Sequence, residues 1–462
     1  MTISRRDLLS ASAALTLLPL FGARARAATL PREADIVVIG AGAAGISAAR
    51  RVLAAGRKVI VLEASSRIGG RCATDATGFE APFDRGARWL HTPDSNALVK
   101  LARPAGIDVA PAPPAQRVRI GRRNARAGET EDLLATLVRA GRAIDEAARK
   151  GDGSCAAALP KDLGDWAGTI DFILGGYATG KDLRDLSVQD QSRAQDRAID
   201  VATRQGLGAL MARLGDGVPV ALSTPATRVT WSGRDIGVET PAGRIAARGV
   251  ILTVSSNVLA SGAIKFTPEL PKRQLDAAAK LSLGSYDRIA LQLAGNPLGL
   301  GRDELMIEQS SDARTGALFA NIGGTSLCTV DVAGAFGRSL AAQGELAMVA
   351  FAVEWLTKLF GSDIKGAVKK SAATNWNAQP FVQGAMSAAV PGGQGSRRVL
   401  IEPMGNLFIA GEATHETLWG TVDGAWESGE RAADAALAKL APAKQVEPEK
   451  PARPKRRTKD AN

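Results

Sequence analysis

Histidine is the scarcest chemically versatile residue in this chain: His91 and His415 are the only two in 462 residues, and there are only three cysteines. Two histidines leave little material for acid–base relays. Cys72, Cys155 and Cys328 are odd in number and widely spaced, so they suggest neither a disulfide framework nor a metal-ligand set, and ordinary burial is expected for each. The core also lacks a basic cluster interleaved with aromatics, which argues against a nucleic-acid-binding surface. The net charge of +11 overstates its basicity: +3 falls in the first 27 residues and +4 in Ala441–Asn462, leaving +4 for the rest. After the N-terminal stretch, no segment is long and apolar enough to span a bilayer. At 45% apolar residues, the chain can bury two cores, in about two or three domains.

What the chain does have is glycine, in patterned form at both ends. Asp35–Ile39 is a short Val/Ile-rich run followed by Gly40-Ala-Gly42-Ala-Ala-Gly45. Gly40 permits a tight turn, Gly42 lets backbone approach a pyrophosphate, and Gly45 lets helix pack on strand. A helix from Ala43 to Ala55, including Ala44 in its first turn, would aim its N-terminal amides at the phosphates, with Gly56 as its C-terminal cap. A second strand, Lys58–Leu62, ends in Glu63, at roughly the 20-residue spacing expected of a carboxylate that accepts from ribose hydroxyls. Ala64, Arg67, Gly70 and Arg71 follow, where open amides and fixed positive charge suit a second approach to the pyrophosphate. Leu407-Phe-Ile-Ala-Gly411-Glu412-Ala-Thr supplies another fingerprint near the C-terminus. A nucleotide held from both ends of a chain this long points to FAD.

With these motifs, Asp84-Arg-Gly86-Ala87-Arg88-Trp89-Leu-His91, Ile264-Lys-Phe266-Thr-Pro268 and Gly420-Thr421-Val422-Asp-Gly424-Ala-Trp426, the sequence resembles the flavin-containing amine oxidases, the family of monoamine, polyamine and L-amino-acid oxidases. The resemblance runs from Ala34 to Leu440. It implies an α/β fold, in which an FAD-binding Rossmann-like domain of the GR2 type is interleaved with an α+β substrate domain. The expected division is 30–95, 205–265 and 396–440 for the flavin domain, and 96–204 and 266–395 for the substrate domain. Residues 96–204 read as mostly helical, as in Glu131–Lys150; a strand at Arg288–Leu293 and one helix over Leu340–Phe360 are expected further on.

By the same resemblance the backbone near Ala226 faces the adenine, Glu412 meets the ribityl or pyrophosphate part, and a helix starting near Thr421 points at the flavin ring. Small Gly420, Gly424 and Ala425 would let backbone approach that ring, whereas Gly429 fits helix packing. The implied reaction is hydride removal from a carbon bearing a neutral amine, with molecular oxygen as acceptor and an amine or amino acid as substrate. Such a step needs a positioned substrate and an electron sink more than a strong acid or base.

Three departures from the family pattern stand out. The family's usual lysine position falls at Arg288, which cannot lose its proton. The aromatic pair of monoamine oxidases falls at Met386 and Thr421, leaving Trp376, Trp419 and Trp426 as alternative walls, with Trp376 favoured on the flavin side. His91 would lie near the pocket and His415 in a loop. The covalent-attachment position falls at Ala385, so flavin should be held noncovalently. Two other readings stay open: an FAD-dependent desaturase or dehydrogenase of the phytoene desaturase or protoporphyrinogen oxidase type, marked by an apolar funnel, and a noncatalytic flavoprotein.

The N-terminus reads as an address. Ser4-Arg5-Arg6-Asp7-Leu8-Leu9, the apolar stretch to Phe21 and Ala25-Arg26-Ala27 form a twin-arginine signal over residues 1–27 and imply export through that machinery to the periplasm; a retained amphipathic anchor is the alternative. The Pro- and Lys-rich segment 441–462 reads as a disordered basic tail. Oligomeric state is open.

Overall fold

The structure is a computed structural model that describes residues 30–113, 116–195, 199–233 and 235–440. The signal-peptide reading and the basic tail lie outside these residues.

The Asp35–Ile39 run is the centre of a strand, Glu33–Ile39, buried on both faces. Ile36 and Val38 join one apolar cluster and Val37 and Ile39 another, as the period of two requires of a strand covered on both faces. It pairs in parallel with Val59–Leu62 and with Gly243–Leu252, placing Ile36 opposite both Val59 and Gly249. The full order is Val220–Ala221, Val59–Leu62, Glu33–Ile39, Gly243–Leu252, Ile236–Thr240, Arg228–Thr230, Lys265–Thr267, with Leu407–Ile409 also paired to Gly243–Leu252.

The two helices that follow the glycine motifs, Ala43–Ala54 and Val422–Lys439, cross on one face of this sheet. Gly429 lets them meet: a Cβ there would fall 2.1 Å from the Ala44 carbonyl oxygen. Ser47 Oγ then donates to the Trp426 carbonyl at 2.6 Å.

A second, mostly antiparallel sheet runs Val368–Ala373, Tyr286–Leu293, Leu327–Ala333, Ala317–Ala320, Glu304–Glu308, Gln116–Ile120, Arg123–Asn124. Ile289, Leu291 and Leu293 pack under the helix Glu345–Phe360 through Phe351, Trp355 and Leu359. Tyr286 and Arg288 alternate to the opposite face, toward the first sheet. The architecture is α/β, two main sheets with helices packed against them.

Three sequence expectations need correction. Leu340–Phe360 is two helices, Gly334–Ala342 and Glu345–Phe360, because Gly344 takes φ +94° and restarts the chain as an N-cap. The supposedly helical stretch 96–204 contributes the strands Val109–Pro111, Gln116–Ile120 and Asp200–Thr203, the last pairing with Trp89–His91. Residues beyond 265 stay with the first sheet through Lys265–Thr267 and the helix Lys272–Lys280, whose Ala277 and Ala278 join that sheet's core. Apolar burial, not the motif boundary, decides where the chain crosses over.

Candidate active site

Between the two sheets lies a cavity of about 1820 Å³, larger than the ~300–1,000 Å³ of an ordinary ligand pocket. One end is built by the glycine loop. Gly42 has φ −75° and a Cβ added to it would meet nothing within 4 Å. The backbone there is open to a ligand although glycine is not needed for its dihedral. Gly45 serves differently: its Cβ would fall 1.9 Å from the Gly40 carbonyl oxygen, so it closes the turn and does not line the cavity. Glu63 Oε2 accepts from Ala41 N at 2.7 Å, and its Oε1 accepts from Ser65 N and Oγ, both at 2.8 Å. The carboxylate is thus held at the cavity wall beside Ala64 and Ala226.

The second glycine loop brings two arginines. Arg67 lines the cavity but turns its fork onto its own loop, donating to Gly70 O at 2.7 Å and Ile68 O at 3.1 Å. Arg71 Nη1 donates to both Ala385 O and Glu412 Oε1 at 2.7 Å. Glu412 also accepts from Ser387 N and Oγ and from Gly420 N. Burial pushes its carboxyl upward, but Arg71 and Ser387 outweigh that and hold it below the usual range. Glu412 lines the cavity, yet its oxygens already have four protein donors. Its evident structural work is to fix Arg71, Ser387 and Gly420.

Thr421 caps the C-terminal helix: its Oγ1 accepts from Gly424 N at 3.0 Å and donates to Leu418 O at 2.7 Å. Its hydroxyl is therefore occupied, while Val422 and Ala425 present the helix start to the cavity. Gly424 does not line the cavity, since a Cβ there would fall 2.0 Å from Leu418 O. Small size at that position serves packing against the Leu418 turn.

The remaining wall comes from Gly86, Ala87, Arg88, Trp89, His91, Arg288, Trp376 and Met386. Arg288 is 4% exposed; its Nε donates to Asp331 Oδ1 at 3.1 Å and its Nη1 to the carbonyls of Asp84 and Gly86. Burial alone would lower its pKa, but Asp331, Tyr286 and Asp84 raise it, so it stays a cation. Arg88 packs over Phe319 and reaches the same Asp331 at 4.0 Å. Trp376 is oriented twice, by Asp287 Oδ1 accepting from its backbone N–H and by its Nε1 donating to Arg85 O at 2.9 Å. His91 Nδ1 lies 2.6 Å from Asp200 Oδ1, its cross-strand partner, so it reaches the wall as a bonded pair. His415 is outside the cavity, held by Glu427 and the Leu418 amide. Trp419 and Trp426 also fail to line it: Trp419 lies under Arg397, and Trp426 fills the contact between the two helices.

The chain's only two tyrosines went unread in the sequence, and both line this cavity. Tyr177 and Tyr286 lie 5.8 Å apart between ring centroids, and the Tyr286 hydroxyl donates to Asp331 Oδ2 at 2.7 Å. Tyr286 could have been found from its position two residues before Arg288 on one strand face. Tyr177 ends a π-helical turn, Phe172–Tyr177, a local geometry frequent at functional sites. Asp331 is the lone carboxylate of the fully buried strand Leu327–Ala333. Among the described residues no cluster could hold a metal ion.

A large cavity lined by an open glycine loop, a held carboxylate and a helix start fits an extended dinucleotide. Residues 43–172 and 161–437 match the sequence model of flavin containing amine oxidoreductases. The chain belongs to that family. It is 27% identical over 440 residues to lysine-specific histone demethylase 1 homolog 3 of Oryza sativa subsp. japonica, covering 87% of this chain and 54% of that protein. Against polyamine oxidase 5 of the same subspecies the identity is 26%, with 87% of each covered. The chain spans about half the length of the demethylases it matches. Among solved structures, a putrescine oxidase double mutant superposes with a TM-score of 0.75 and cyclohexylamine oxidase from Brevibacterium oxydans IH-35A with 0.73. Each is 19% identical and covers 88% of this chain and 99% of its own, a likeness of fold. Family membership implies a flavin cofactor.

Proposed function

We propose that this protein is an FAD-dependent amine oxidase. It takes a hydride from the carbon bearing a neutral amine, giving an imine that water hydrolyses to an aldehyde or keto acid and ammonia or an amine, while molecular oxygen is reduced to hydrogen peroxide. Bound FAD supplies the electron sink for the hydride. The observation that carries this reading is the single continuous cavity, in which Gly42, Glu63, Arg71 and the start of the C-terminal helix line up with the wall of Tyr177, Tyr286, Arg288 and Trp376.

Gly40, Gly42, Gly70 and Arg71 would hold the pyrophosphate, Glu63 the adenosine ribose, and Thr421–Val422 the ring edge through the positive end of the helix. Arg288, Trp376, Met386 and the tyrosines form the substrate wall. Arg288 acts by fixing the Asp84–Gly86 loop and by keeping positive charge beside the substrate, which disfavours an ammonium and favours the neutral amine. Noncovalent binding is supported by Ala385 at the attachment position and by the buried Cys72, whose thiol is pushed up to about 12 by burial; such a thiol is a poor nucleophile. Export to the periplasm through the twin-arginine route belongs to the same reading and rests on the N-terminal sequence. So does the two-domain division, with the crossover moved beyond the Lys272–Lys280 helix.

The test is anaerobic mixing of purified holoprotein with amines and amino acids, followed by the visible flavin absorbance. Bleaching by one class, with peroxide on readmitting air, is the expected result; a spectrum unmoved by every amine would sink it. A second reading, an FAD-dependent desaturase, is favoured by one observation: the outer cavity wall is apolar, through Leu137, Ile173 and Leu174.

A further inference from the structure

The long helix Ala127–Lys150 has two apolar stripes. Leu133, Thr136, Ala140 and Ile144 are buried against the protein. Leu134, Leu137 and Val138, at the i, i+3, i+4 spacing of a second face, line the cavity, and Leu134 and Val138 remain 56% and 53% exposed. Ile199 also lines the cavity, at 66% exposure. Residues that both line a cavity and meet solvent mark its mouth. The same cavity is lined by the half-buried Ile173 and Leu174 on the π-helical turn, by Tyr177 beside Tyr286, and by the buried Arg288. Gly175 and Gly176 let that turn sit against Lys181 and Ala333 without room for side chains, which fixes Ile173 and Leu174 on the passage.

Charge decides what could fill it. The carboxylates among the described lining residues are Glu63, Asp200 and Glu412. Glu63 is held in the nucleotide loop, Glu412 by Arg71, and Asp200 by His91. The inner wall instead carries two guanidinium groups, Arg88 and Arg288, sharing Asp331. A second ammonium on the substrate would find no unengaged carboxylate, whereas a methylene chain would find an apolar passage open to solvent.

Resting on the amine-oxidation reading, we infer that the substrate carries a single amine on an extended apolar chain, whose far end lies along Leu134, Leu137, Val138 and Ile199 while its nitrogen reaches the Tyr177–Arg288 end. The exposed rim is then part of the binding site and not an idle patch; contiguous exposed apolar surface generally marks such a role.

The experiment is a series of straight-chain amines from butylamine to decylamine, with putrescine as the diamine control, assayed on wild-type holoprotein and on the double variant Leu134→Ser/Val138→Ser, whose circular dichroism and flavin content are checked first. Each methylene that becomes buried should raise kcat/KM by up to about fourfold, so decylamine should exceed butylamine by about 100-fold or more. In the variant that ratio should fall about tenfold. Binding of 1-octanol and 1-butanol by titration calorimetry reads the chain site without any oxidation. Oxidation with no chain-length dependence, or a dependence indifferent to the variant, overturns this inference and leaves amine oxidation standing. No oxidation of any amine, with 1-octanol bound more weakly by the variant than by wild type, upholds the chain site and overturns the amine reading. Neither oxidation nor octanol binding overturns both. A flat amine series with sedimentation on phosphatidylcholine vesicles that the variant loses overturns the inference and assigns the rim to a lipid surface.

Discussion

Arg288 stands directly opposite Asp331 in the antiparallel pairing of Tyr286–Leu293 with Leu327–Ala333, and both side chains are buried. The pair joins strand register to the cavity wall: Arg288 also holds the Asp84 and Gly86 carbonyls, and Asp331 also accepts from Tyr286. Removing one partner leaves a buried charge poorly compensated. Arg288→Ala should destabilise the protein by about 3 kcal/mol, and the double variant with Asp331→Ala should recover part of that in denaturant titrations. Arg288→Lys keeps the charge but loses the fork that spans carboxylate and carbonyls. Flavin reduction or reoxidation should slow in it, and unchanged rates in both half-reactions would remove Arg288 from the mechanism.

On the proposed placement of the cofactor, Gly42 separates folding from cofactor binding. A Cβ there meets no protein atom within 4 Å, and its φ of −75° suits any residue. Gly42→Val should therefore keep the wild-type Tm of the flavin-free protein while abolishing flavin retention. Yellow holoprotein at wild-type stoichiometry would contradict the placement of the pyrophosphate.

Asp84 gives the fold a pH dependence of predictable sign. Burial, opposed by Thr74, Arg288 and Arg88, raises its carboxyl to about 6 from 3.8. A carboxyl raised on folding favours the native state below its unfolded pKa, and that contribution is lost as pH rises through the folded one. Two units correspond to about 3 kcal/mol. Asp84→Asn retains an acceptor for Thr74 and Leu207 and does not ionise, so its stability relative to wild type should rise by roughly 2–3 kcal/mol between pH 3.5 and 7. A constant difference across that window would exclude Asp84 as the titrating group.

The three thiols should be silent in the native state. Cys72, Cys155 and Cys328 are buried and free, and burial pushes each up to about 12. A thiol reagent should label them only after denaturant is added, and acid precipitation should leave the flavin in the supernatant. Flavin in the pellet would show covalent attachment.

Local chemistry made half of the site legible. The glycine loop, Glu63, Arg71 and the Thr421 cap lie within a few residues of a strand end or helix start, where spacing dictates direction. Arg288 was legible as a departure from the family's lysine, but its partner Asp331, 43 residues away, was not. Tyr177 reaches the site from a π-helical turn that no period of 3.6 announces. Trp419 and Trp426 misled because large aromatics fill cores as readily as they wall pockets. The second stripe of the Ala127–Lys150 helix reads as surplus apolarity until the cavity beside it is seen.

On the proposed reading, the same charge arrangement sets which form of the substrate enters. Arg88 and Arg288 face the inner wall, and each lining carboxylate among the described residues already has a partner. On the proposed amine-oxidation reading an alkylammonium gains little there, so the neutral fraction is expected to bind and react. For aliphatic amines with a pKa near that of lysine, about 10.4, kcat/KM should climb about tenfold per pH unit between pH 7 and 9. The slope should belong to the substrate: an amine of lower pKa should reach its plateau at correspondingly lower pH on the same enzyme. A plateau at one pH for amines of different basicity would place the titration on the protein and would require a group at the wall that accepts the ammonium's proton.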